Sequence, residues 1–362
     1  MQASSAARLD ELIGVSAMLD QDALALAEIV GAIRGQTAAQ ALVDAWRAQS
    51  ADLIAYAQGQ ASSAVDLDRQ RTVIAAQLAT GSLPASAAAD VLQHRQQQEL
   101  ALATAISAHD SSQTVQRLSD LQSTSDDLGR PLAAAMAAQL SDLSPAATEG
   151  ADISLRLHLD AEMLQQVYWT GAAMAAAADT RPADAQAYTS AADQAANDTA
   201  NELAAIYGGD VGNGLADRLR GQIAAFVSAA SGGDRHQAAT EVERLRNETD
   251  ALLSGANELI APGLLTQLLR GVDQPLLSAS DAFVARNFNT AYARLHESAK
   301  AAQKPADTLA LAIVDRYPGR YLNLPTTAPV SRQSLELAAV HGRPGDSLAA
   351  PHAARGPRGP SH

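Results

Sequence analysis

The residues able to bind a metal are few and widely spaced. The chain has eight histidines (His94, His109, His158, His236, His296, His341, His352 and His362) and no cysteine. Thiolate metal sites, cysteine nucleophiles and disulfides are therefore excluded. His158 and Glu162 stand four apart, so a helix puts both on one face, where they could share a metal ion. A carboxylate-bridged metal site in a helical bundle also needs Glu-x-x-His pairs on other helices, and the sequence has none. The simpler reading of His158 and Glu162 is a solvated pair near a helix start. His94 and Glu99 are five apart and point to different faces, and His296 and Glu297 diverge. No metal ligand set is favoured.

Other chemistry is equally sparse. No Gly-x-Ser-x-Gly nucleophile elbow occurs, and serines such as Ser82, Ser144 and Ser231 fall at expected caps and turns. The cluster from Gly208 to Gly214 lacks the preceding strand and the lysine of a phosphate-binding loop, and Asp210 would repel phosphate. It reads as a helix stop followed by a new helix start. The densest aromatic spot is Tyr168-Trp169. With Gln166, Gln222 and Phe226 it could line a ligand pocket between helices, although aromatics at helical spacing more often form core. Gln222 interrupts an apolar stretch. It is either a surface residue, the simpler reading, or a buried amide that needs a partner on another helix or on a ligand.

The elements that must position these residues are helices. Alternating strand patterns are absent, and apolar residues recur at three- and four-residue steps, as in Leu155, Leu159, Met163 and Val167. Alanine, the best helix former, accounts for 82 of the 362 residues. Breaks are expected at Gly35, Gly81–Pro84, Gly129–Pro131, Arg181-Pro182, Gly208-Gly209, Gly232-Gly233, Pro262-Gly263 and Pro305. No apolar run is long enough to span a bilayer. The net charge of −14 and pI near 4.9 argue against nucleic acid and anionic membranes as partners.

The pattern repeats. Leu26–Gln49 aligns without a gap on Thr199–Gln222, pairing Ile33 with Ile206, Gly35 with Gly208, Leu42 with Leu215, Asp44 with Asp217, Arg47 with Arg220 and Gln49 with Gln222. Further on, Asp68–Arg71 answers Glu243–Arg246, Leu83-Pro84 answers Ala261-Pro262, and Arg117-Leu118 answers Arg294-Leu295. An internal duplication follows. The expected fold is all-α: two tandem up-and-down antiparallel helical bundles, 1–144 and 152–322, joined by a linker at 145–151. Residues 323–362 read as a loop, a short helix over Arg332–Val340 and a disordered tail. The second bundle opens with a helix, Asp152–Asp179, that the first lacks. That asymmetry leaves an apolar stripe for another chain to cover, a second copy or a partner protein.

Leu164–Thr170, Ile206-Tyr207-Gly208, Arg218–Phe226, Asp281–Phe283 and Phe288–Tyr292 resemble a tandem all-helical repeat domain of secreted or surface proteins of Gram-positive bacteria, actinobacteria included. The resemblance covers about 152–322, with a weaker copy in 5–144. It implies helical bundles, export and no established reaction. It also implies histidines where this chain has Gln166 and Gln222, with Gln49 repeating the change in the first copy. Any metal or haem site of such relatives would be lost here.

No catalytic constellation emerges, so the expected function is a non-catalytic scaffold or interaction module of the bacterial envelope or exterior, without a predicted cofactor. The alternative is a sensor or carrier binding a small ligand, metal or haem in the second bundle. If Met1 is the true start, a cytoplasmic location is expected; an absent natural N-terminus would imply export.

Overall fold

A computed structural model describes residues 23–24, 26–57, 63–79, 83–108, 110–138 and 150–322. The helices are α1 (Gln36–Ala57), α2 (Ser63–Leu78), α3 (Ala85–Ser107), α4 (Ser111–Ala137), α5 (Ala151–Ala178), α6 (Pro182–Tyr207), α7 (Gly209–Ala230), α8 (Arg235–Ala256), α9 (Leu264–Val284), α10 (Phe288–Arg316) and the short α11 (Pro318–Tyr321). Residues 26–34 are helical as well, and no strand occurs among the described residues. The all-α expectation holds. Apart from Gly150 and Ala151, the expected linker lies outside the described residues, as does the tail.

In the second unit each helix packs on the next, and α10 closes the ring against α5. The helices α5, α7 and α9 also touch one another, so they form an inner triangle with α6, α8 and α10 in the seams between them. Alanine makes this possible. A methyl side chain loses no rotamer freedom on burial, and it lets backbones approach closely. The run after Gly171 shows it: Ala173, Met174, Ala175 and Ala176 are all buried. A Cβ on Gly171 itself would sit 2.6 Å from both Leu295 methyls across the seam to α10.

Two apolar clusters stack along the bundle. One joins the starts of α5, α7 and α9 to the ends of α6, α8 and α10, around Leu159, Leu203, Ile223, Leu253, Leu265 and Ile313. The other fills the opposite end around Met174, Phe226, Val242, Phe283 and Phe288. A third cluster (Leu42, Ile74, Leu78, Leu92 and Leu132) belongs to the first unit. There α1 packs on α2 and α3, and α3 packs on α2 and α4. The units meet where α4 lies on α6: Val115 and Leu118 pack against the second unit's core, and Ser111 donates a hydrogen bond to Asp184.

Most expected breaks are real, and two are not. Chain reversals occur at Arg181, Gly232-Gly233 and Pro262-Gly263. Gly129–Pro131 falls inside α4 and Pro305 inside α10, and α9 also contains a proline, Pro275. A proline within a helix costs a hydrogen bond. Pro275 and Pro305 lie in the core, where burial offsets that loss, whereas Pro131 is exposed. The helix ends that the sequence reading missed use side-chain caps instead of Gly or Pro. Asp110 accepts the Gln113 N–H at 2.9 Å, and Asn287 accepts that of Thr290 at 3.2 Å.

Several repeat-paired residues adopt the same local structure in both units. Gly35 and Gly208 each stand between two helices in the left-handed region, at φ +86° and +101°, where only glycine is unstrained. The Asp66–Arg69 and Glu241–Arg244 ion pairs occupy matching positions. So do Asp68–Arg71 and Glu243–Arg246.

Candidate functional site

Between the two apolar clusters of the second unit lies a belt of buried polar side chains, supplied by all six long helices. It comprises Thr170 on α5, Thr199 on α6, Gln222 on α7, Arg246 and Thr249 on α8, Asp273 on α9 and Ser298 on α10. Their positions on the helices explain the burial. Val242, Arg246, Thr249 and Leu253 recur at three- and four-residue steps, so Arg246 and Thr249 lie on the core-facing stripe of α8. Leu269, Asp273 and Leu276 do the same on α9.

Buried polar groups need partners, and part of the belt has them. Thr170 Oγ1 donates to the Gln166 carbonyl at 2.6 Å, and Thr199 Oγ1 to that of Ala195 at 3.1 Å. Ser298 Oγ donates to the Val272 carbonyl at 2.9 Å. Arg246 Nη1 donates to Asp273 Oδ2 at 3.1 Å, with both side chains at most 6% exposed. Burial pushes the Asp273 carboxyl up, and the neighbouring Arg246 only partly offsets this. Three polar atoms of the belt have no partner among the described residues: Gln222 Nε2, Arg246 Nε and Thr249 Oγ1.

Against this belt lies a cavity of about 30 Å³, lined by Met163, Gln166, Thr199, Leu215, Leu219, Thr249, Leu253, Leu265, Leu269, Pro305 and Leu309. It has room for one or two waters. That is far below the 300–1,000 Å³ typical of a drug-sized ligand pocket.

The expected pocket residues are distributed differently from the expectation. Gln166 lines the cavity, whereas Tyr168, Trp169, Gln222 and Phe226 do not. Trp169 is buried and stacks on Tyr188 with ring centroids 5.8 Å apart. Tyr168 is half-buried against the cluster that contains Phe226. These aromatics are core. Gln222 is 5% exposed and Gln49 8%, so the surface reading of this repeat position is wrong for both. Each amide lies on its helix's apolar stripe.

His158 and Glu162 do not form a solvated pair. His158 is exposed, and Glu162 is half-buried. Its carboxyl lies near Thr199, Glu202 and Asp198 of α6, and its buried Oε2 has no hydrogen-bond partner among the described residues. Burial first, then the two acidic neighbours, push Glu162 up to about 7, with Thr199 opposing them. On the other flank of α5, burial and Asp307 push Asp160 up to about 7 despite Arg156. Among the described residues, no group of three or more His, Asp or Glu side chains could hold a metal ion.

Of the belt residues only Gln222 was singled out from the sequence; among those missed, Arg246, Thr249 and Asp273 are the most deeply placed in the apolar stripes of α8 and α9. Their signal was present: each falls in register with apolar residues on its own helix.

Compared with protein-family models, curated proteins and solved structures, the chain matches none of them. The resemblance to a helical repeat domain of Gram-positive surface proteins rests on the quoted residues alone. No helix among the described residues is long and apolar enough to cross a membrane.

Proposed function

We propose that the chain is a non-catalytic helical scaffold of the bacterial envelope or exterior, built by duplication of one helical unit and acting through a helix face of the first unit. The observation that carries this reading is the placement of exposed apolar side chains. Val65 on α2 is 75% exposed, and Ile106 on α3 and Ile29 in the helical segment 26–34 are each 49% exposed. Val73 on α2 and Leu24 are exposed as well, against Val284, Leu311 and Leu322 in the longer described stretch of the second unit. Large apolar side chains in water favour association. The second unit spends its aromatic residues on its own core. The matching glycine junctions and ion pairs of the two units support duplication, and the resemblance supports export.

The first occupant to test is a second copy of the chain. Sedimentation velocity across a concentration series is expected to show a concentration-dependent dimer in the native chain, and a monomer throughout in Val65→Glu. A native chain that stays monomeric at every concentration would reject self-association and leave another protein as the partner.

A further inference from the structure

The first unit lacks a counterpart of α5, and the face of α4 that would receive one is covered from elsewhere. Matching local bonds fix the register of α4 on α10. Asp110 caps Gln113 as Asn287 caps Thr290, and Arg117 pairs with Asp120 as Arg294 pairs with Glu297. All four pairs of positions share one constant offset. On that register Leu118 answers Leu295, and Val115 answers Tyr292. In the second unit this face seats α5: Leu295 is buried, and its methyls fill the space beside Gly171. Accordingly α10 packs on α9 and α5. Its counterpart α4 packs on α3, which answers α9, and on α6. Ser111, Val115 and Leu118 follow one another at four- and three-residue steps and so share one stripe of α4. Val115 and Leu118 pack against the second unit's core cluster, and Ser111 donates a hydrogen bond to Asp184. The seat is shallower than that of α5, since Leu118 is only half-buried.

We propose that α6 of the second unit stands in for the opening helix that the first unit lacks, and that α4 keeps its place in the first bundle only while the two units are docked. Without α6, α4 would rest chiefly on α3, and its Val115–Leu118 stripe would face water. Losing apolar burial along one side of a helix makes its local opening easier. The dependence runs one way. The second unit is closed by its own α5, whereas α4, and α3 through it, lean on the second unit. This inference rests on the duplication and not on self-association, so a monomer in sedimentation leaves it untouched.

The test is hydrogen–deuterium exchange of the full chain at low concentration, where contacts between copies do not enter. Leu118→Asp puts a charge into the dock from the first unit. Asp184→Arg does so from the second: it cannot accept from Ser111, and it stands beside Arg181. Both variants should speed exchange in α3 and α4 by about tenfold or more, with α7 to α10 at native rates. Asp184→Arg is the sharper arm, because a change on α6 reaches α3 and α4 only through the dock. Complete loss of protection in the first unit of Leu118→Asp, with α7 to α10 unchanged, would be the same result in its strongest form. Native exchange of α3 and α4 in either variant would overturn the proposal. So would an equal loosening of α7 to α10.

Discussion

Gln49 and Gln222 hold the same place in the two units and differ by one bond. Gln49 Nε2 donates to Glu99 Oε2 at 3.2 Å, and Glu99 in turn accepts from Arg95 Nε at 2.8 Å. Counting from the paired prolines Pro84 and Pro262, the counterpart of Glu99 is Leu277, which cannot accept. Gln222 Nε2 is therefore left without a partner. One position has become a satisfied polar network in the first unit and a donor-rich belt in the second.

This difference predicts opposite effects of one substitution. Gln222→Met replaces an unpaired amide with an apolar side chain of similar shape and should stabilise the chain by about 1 kcal/mol. Gln49→Met strips a hydrogen bond from the part-buried Glu99 and should destabilise by about 1–3 kcal/mol. Urea unfolding of both variants reads the two signs directly. Equal effects would mean that the two environments are alike.

The pair Arg246–Asp273 makes a second prediction. Removing one partner of a buried ion pair leaves an uncompensated charge, so Asp273→Ala should cost about 3–5 kcal/mol. The double variant Arg246→Met with Asp273→Leu should recover much of that loss, because an apolar pair of similar volume needs no desolvation of charge. A double-mutant cycle in urea measures the coupling. Additive losses would show that the two side chains do not act as a pair.

The flanks of α5 set a pH dependence. Asp160 and Glu162 are each pushed up to about 7, chiefly by burial. A carboxyl whose folded pKa exceeds its unfolded value favours the protonated folded state. The resulting cost is absent below about pH 4, grows as pH rises toward 7 and is complete above it. Glu162→Gln keeps the shape and removes the charge. It should stabilise the chain at pH 8 by about 1–2 kcal/mol after allowance for solvent screening, and leave it unchanged at pH 4. A gain of equal size at both pH values would contradict this origin.

Glycine substitutions test the helix packing. A Cβ on Gly212 would lie 2.5 Å from Ala204 Cβ and 2.8 Å from the Ala200 carbonyl oxygen, at the α6–α7 contact. Backbone cannot yield cheaply there, so Gly212→Ala should cost about 1–3 kcal/mol. Gly255, late in α8, has nothing within 4 Å of an added Cβ, and Gly255→Ala should gain up to about 1 kcal/mol from helix propensity. Thermal unfolding distinguishes the two. A neutral Gly212→Ala would mean that the hairpin is looser than described.

The fold was legible because helix is written locally. Alanine content, three- and four-residue spacing, and the glycine and proline junctions at Gly35, Arg181-Pro182 and Gly208 suffice to mark most helices. The failure at Pro305 has a tertiary cause: a proline's local cost is fixed, whereas the burial that offsets it depends on helices distant in sequence. Pro131 is exposed, and burial does not explain its place inside α4. The candidate site was only half legible. Gln166 and Gln222 stand out as amides among apolar residues. Arg246 and Asp273 fall in register with apolar residues on their own helices, but their mutual pairing across 27 positions is a tertiary fact. Trp169 and Phe226 drew notice through their size, and size is what the core required.

If self-association runs through the first unit, its exposed apolar side chains are buried on assembly while Val284, Leu311 and Leu322 of the second unit stay exposed. Hydrogen–deuterium exchange with mass spectrometry, run on the full chain at low and high protein concentration, tests it most directly. Added protection at high concentration is expected in the segments containing Ile29, Val65, Val73 and Ile106, with exchange over 152–322 unchanged. Concentration-dependent protection confined to the second unit, or none anywhere, would contradict it.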